Sequence, residues 1–127
     1  MTLDTESTRP IHAIIAENIQ SQVKEYHSNV IQEIVQHVQK DDVVVVGMAW
    51  NPFVKRARKA LTQANVQHTY LEYGSYISAW KPRLAIKMWS GWPTFPQVFV
   101  KGSLVGGATD VESLIQNGQL EQMLAKI

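Results

Sequence analysis

The 127-residue chain contains no cysteine. It therefore supplies no disulfide, no thiolate nucleophile, no cysteine ligand for zinc and no thiolate for an iron–sulfur cluster. It also lacks a charge excess of either sign: 12 lysines and arginines face 11 aspartates and glutamates, a formal net charge of +1. Such a balance argues against a nucleic-acid partner. Long hydrophobic runs are missing as well. The longest apolar stretch, Val43 to Trp50, is far too short to span a bilayer, and the leading MTLDTESTRPIHAII has no secretory-signal pattern. A cytoplasmic protein with no membrane partner is the expectation. Hydrophobic residues still make up 45% of the chain, enough to build the core of one domain.

The charge that is present lies unevenly. Residues 1–42 hold seven acidic and three basic side chains, whereas residues 43–127 hold nine basic and four acidic ones. Lys55, Arg56, Arg58 and Lys59, with Lys81, Arg83 and Lys87 further on, read either as solvated helix faces or as a small carboxylate or phosphate site. His12, His27, His37 and His68 show neither paired spacing nor a nearby carboxylate pattern, so no metal site is expected.

Apolar residues at three- and four-residue steps (Ile11, Ile14, Ile15, Ile19, Val23, Tyr26) predict a helix opening at Pro10. A break near Ser28-Asn29 separates an N-terminal helical extension, residues 1–29, from a main domain, residues 30–127. A second helix follows with Val30, Ile31, Ile34, Val35 and Val38 on one face. The β-branched run Val43 to Gly47 suits a central strand buried on both faces. Pro52 opens the next helix, with Phe53, Val54, Ala57, Ala60, Leu61 and Ala64 directed inward. Val66 to Tyr73 alternates as a strand, completing a βαβ crossover. A loop over 74–81 leads to a helix from Pro82 to Trp89. Gln97 to Lys101 and Ser103 to Val105 flank Gly102 as a tight hairpin. Thr109-Asp110 offers an N-cap for a helix over Val111 to Gln116, and Leu120 to Ile127 is amphipathic.

This order, with Pro beside a helix start, then Thr-x-Pro, then Gly-Gly, resembles the thioredoxin fold. Residues 30–126 resemble a glutaredoxin more specifically, and Trp92-Pro93 before Thr94 leans toward its monothiol branch. The segment WPTFPQVFVKGSLVGGATDVESLIQNGQLEQML, Trp92 to Leu124, carries most of the likeness. The resemblance implies an α/β fold with a four-stranded mixed sheet flanked by helices, the third strand antiparallel to the first two.

Glutaredoxins carry Cys-Pro-x-Cys, or the monothiol Cys-Gly-Phe-Ser, where this chain has Asn51-Pro52-Phe53-Val54. Thiol–disulfide exchange needs a thiolate, which neither an amide nor an isopropyl group provides. A cluster held in the monothiol style loses its protein thiolate too. The lysine that commonly helps to bind glutathione upstream falls near Met48. No resident cofactor is expected.

What the resemblance leaves in place is a glutathione groove. Asn51 and Phe53 lie at its helix start. Phe95 precedes Pro96, expected cis, so that its backbone can pair with a tripeptide. Thr94 opens that segment, and Arg83 occupies the position that binds the glycyl carboxylate. Gly107, Ala108, Thr109 and Asp110 correspond to the turn that holds the γ-glutamyl end. Each has a plainer role: Thr94-Phe95-Pro96 and Gly106-Gly107 as turn geometry, Asp110 as a helix cap, Arg83 as exposed surface. Asn51 either caps its helix or donates to a bound thiolate, as the polar residue does in glutathione transferases. Trp50 and Trp92 are candidates for an exposed aromatic patch. The expectation is a redox-inactive protein holding glutathione or a protein partner in the former active-site groove. A transferase using Asn51 and an interaction module without a small ligand are the alternatives.

Overall fold

The computed structural model describes residues 29–75 and 80–125. The expected helix at 10–28, and with it the proposed extension 1–29 apart from its last residue, lies outside the described residues. So do 76–79 of the 74–81 loop and the last two residues.

Helix α1, described over 29–40, leads into β1 (Val43–Gly47). Then follow α2 (Pro52–Gln63), β2 (Thr69–Glu72), α3 (Trp80–Ser90), β3 (Gln97–Val100), β4 (Ser103–Gly106), α4 (Ala108–Gln116) and α5 (Gln119–Ala125). The four strands form one sheet in the order β2-β1-β3-β4. β1 runs parallel to β2 and antiparallel to β3, and β3 is antiparallel to β4. This is the mixed sheet of the thioredoxin/glutaredoxin fold, with the third strand reversed as expected.

The alternation of a strand divides the four valines of β1 between two cores. Val44 and Val46 pack with Ile34 of α1, Ile86 of α3 and Phe99 of β3. Val43 and Val45 pack with Leu61 of α2, Val111 of α4 and Leu120 of α5. All four are 0–2% exposed. Burying each side chain contributes about 1.5–3 kcal/mol, so this unbroken run is the axis of the domain. The two-residue turn Lys101-Gly102 has both φ angles positive, 51° and 86°, which matches the twist of the β3–β4 hairpin.

Several local expectations are corrected. The expected strand from Val66 to Tyr73 shrinks to Thr69–Glu72, because the Val66 N–H is spent closing α2 on the Leu61 carbonyl. α3 begins at Trp80 rather than Pro82, which sits in the first turn where a missing N–H costs little. Phe53 does not point into the core: it is 53% exposed, and Val54, Ala57 and Leu61 form the buried face of α2. The histidines do include a paired one: His37 Nδ1 lies 3.0 Å from Asp41 Oδ2, four residues on. Asp41 also accepts from Thr69 Oγ1 at 2.8 Å, so this pair ties the end of α1 to β2. Among the described residues no group of three metal-ligating side chains occurs, and no helix is long and apolar enough to cross a membrane.

Candidate functional site

The site is built where β1 ends and α2 begins. A side chain at Gly47 would place its Cβ 2.8 Å from Val54 Cγ1, so only glycine lets the first turn of α2 settle on the end of the strand. Met48 is buried, filling the position after the strand with core rather than with a ligand contact. Trp50, at φ 60°, turns the chain and leaves its ring 72% exposed.

Asn51 is the N-cap of α2, in an extended conformation, with Pro52 as the first helical residue. Its Oδ1 accepts from the Phe53 N–H at 2.8 Å and the Val54 N–H at 3.0 Å. The residue is 7% exposed. The donors that a thiolate would use at this helix start are therefore already engaged by an amide oxygen. Of the two roles open to Asn51, the helix cap is the one in place.

Across from this turn, the Phe95–Pro96 bond is cis, as expected. Asp110 is not the N-cap of α4. That position belongs to Gly107, and Asp110 stands at the third helical residue, reaching back to accept the Gly107 N–H through Oδ2 at 2.9 Å. A side chain on Gly106, at φ 123°, would collide with that carboxylate, which accounts for one of the two consecutive glycines. Thr109 receives a bond from Arg56 Nη2 at 2.8 Å.

Eight of the ten residues expected at the groove come together. Phe53, Thr94, Phe95, Pro96, Gly107, Ala108, Thr109 and Asp110 line one open cleft of about 260 Å³, joined by Trp92. Asn51 is the cap of α2 and is not in the lining. Arg83 is absent from the lining. It is buried at 8% exposure, and its Nη1 donates to the Tyr73 carbonyl at 3.3 Å, bracing α3 against the end of β2 rather than lying exposed. Tyr73 in turn donates to the Glu33 carboxylate of α1. Burial, followed by that bond to Glu33, pushes the Tyr73 hydroxyl well above the ordinary tyrosine range.

Three of the basic residues have separate neighbours. Arg58 stacks on the Tyr70 ring at 4.0 Å, Arg56 turns toward α4, and Lys87 lies 5.6 Å from the centre of the Phe95 ring. Nor do Trp50 and Trp92 make an exposed pair. Trp92 is partly buried, and the exposed aromatic that shares the α2 start with Trp50 is Phe53. The place of Trp92 in the groove wall had one sequence signal, its position two residues before Thr94.

The family model described as Glutaredoxin matches residues 43–105. A glutaredoxin-like protein of Dictyostelium discoideum is 49% identical over 110 residues, covering 87% of this chain and 89% of that one. Monothiol glutaredoxin-4 of Schizosaccharomyces pombe is 38% identical over 72 residues, which are 57% of this chain and 28% of that longer protein. Among solved structures, a buckwheat glutaredoxin–glutathione complex superposes with a TM-score of 0.69 at 25% identity, over 79% of this chain and 91% of that one. Identity close to one residue in two, sustained along most of both chains, makes this chain a member of the glutaredoxin-like family.

Proposed function

We propose that the chain is a redox-inactive glutaredoxin-like protein that binds glutathione in the groove between the cis-proline segment and the start of α4. One observation carries this reading: the helix-start donors are closed by Asn51 while eight residues of the expected groove still line a common cleft. Thr94-Phe95-Pro96 offers backbone for strand-like pairing with a tripeptide, and the first turn of α4 offers N–H groups for a carboxylate. Arg83 Nη1 is engaged with the Tyr73 carbonyl, outside the lining of the cleft. Thiol–disulfide exchange has no protein thiolate to begin it, so the reading is of a protein that holds the ligand without exchanging disulfides with it.

Calorimetric titration with glutathione tests the reading, with saturable heat expected at millimolar ligand or below. A flat titration would sink it. In a glutathione-reductase-coupled disulfide assay the protein should give no turnover above buffer, and clear turnover would overturn redox inactivity. The exposed Trp50 and Phe53 rings favour a second reading, in which the same rim docks a protein partner.

A further inference from the structure

We propose that Gln97 is a positioning residue: from inside the core it holds the Trp92 carbonyl, and with it the groove wall from Trp92 to Pro96. The inference rests on the glutathione reading and deepens it by naming what shapes the wall that pairs with the tripeptide.

Gln97 opens β3 and is paired with Val46 of β1. Strand alternation turns its side chain to the same face of the sheet as Phe99, the face whose core holds Val46 and Ile86. It is 0% exposed, and among the described residues no other polar side chain is buried so completely. A buried amide costs free energy unless its groups are bonded. Here only half of it is: Nε2 donates to the Trp92 carbonyl at 3.0 Å, while Oε1 has no partner among the described residues. The orientation follows from chemistry, because a carbonyl only accepts and the NH2 end of the amide is its donor. An apolar side chain of the same size would fill this place without the cost. The bond to Trp92 is what a glutamine adds.

That bond closes a ring over Pro93, Thr94, Phe95 and Pro96. Both prolines lack an N–H, so a strand ladder cannot hold this segment along its length. Its entry is fixed by the Trp92 N–H, which donates to Ser90 Oγ at 3.1 Å, and its exit by β3. Gln97 ties the entry to the exit. Trp92, Thr94, Phe95 and Pro96 all line the cleft, so the shape of this ring is the shape of one wall. Without the bond the wall samples other shapes, and the apparent affinity falls with the fraction that is competent to bind.

Affinity and stability together separate this role from plain packing. Gln97→Met keeps the length of the side chain and removes the donor, and Gln97→Leu does the same with a different shape. In calorimetry on the full chain, both should weaken glutathione by about fivefold, the scale of one hydrogen bond. Their melting temperatures should stay within about 4 °C of the parent, because the unpaired Oε1 leaves together with the bond. Ile34→Val, which trims the same core at a residue of α1, is the control. It should lower the melting temperature and leave the affinity within about twofold of the parent. Unchanged affinity in both Gln97 variants would overturn the proposal. So would an equal loss of affinity in Ile34→Val, since any weakening of this core would then suffice. If neither Gln97 variant folds, the residue is structural and the proposal falls. Failure of the unsubstituted chain to bind glutathione removes the glutathione reading, and this inference with it.

Discussion

Asn51 decides how the start of α2 is satisfied. The N-terminus of α2 is a cluster of unpaired N–H groups at the positive end of a helix, a place that stabilises a thiolate. Asparagine brings an oxygen of suitable reach to the same two donors, Phe53 N–H and Val54 N–H. The helix start is thus satisfied without a charge. Asn51→Ala should remove the acceptor from a site only 7% exposed and lower unfolding free energy by about 1 kcal/mol in urea titration. Asn51→Asp should hold or raise stability, because a carboxylate keeps both bonds and interacts favourably with the helix dipole. An alanine variant as stable as the parent would show that the cap does not hold this turn.

At the scale of elements, the joints matter more than the elements themselves. Asp41, just past α1, accepts from Thr69 Oγ1 of β2 and sits against His37. The bond with His37, then that with Thr69, holds its carboxyl below the ordinary carboxylate range. A carboxyl with a depressed pKa in the folded state contributes stability above its unfolded value and loses it as pH falls through the folded one. Asp41→Asn should therefore lower the melting temperature at neutral pH, and the gap from the parent should close below about pH 4. A gap that stayed constant down to pH 2 would assign the effect to something other than this ionisation. Such joints explain what could be read in the sequence. The valine run, the proline-opened α2 and the glycine-centred hairpin announce themselves, because each is fixed by neighbours in the chain. Phe53 was misplaced because helical periodicity marks an apolar face without saying which of its edges the sheet covers. The plainer reading of Arg83 as exposed surface fails because its partner, the Tyr73 carbonyl, is ten residues away and carries no sequence signal. The pairing of His37 with Asp41 was legible at four-residue spacing and needed only to be read as a link between elements, not as a ligand set.

For the whole molecule, the groove is an assembly of three segments far apart in sequence: the start of α2, the cis-proline turn and the start of α4. None forms a site alone. They meet because β1 and β3 are adjacent in the sheet and because α2 and α4 lie on one side of it, with Leu61 and Val111 in one core. Glutathione bound there contacts a surface that the unfolded chain does not possess, so binding must stabilise folding through mass action. At a ligand concentration 100 times the dissociation constant the gain is about 2.7 kcal/mol. In a domain of this size that corresponds to a rise in melting temperature of roughly 10 °C. The rise should grow with the logarithm of ligand concentration and shrink in the Thr109→Val variant, which lacks one wall donor. Calorimetric heat without any thermal shift would place the ligand on a surface that survives unfolding, and the groove formed by these three segments would then not be its site.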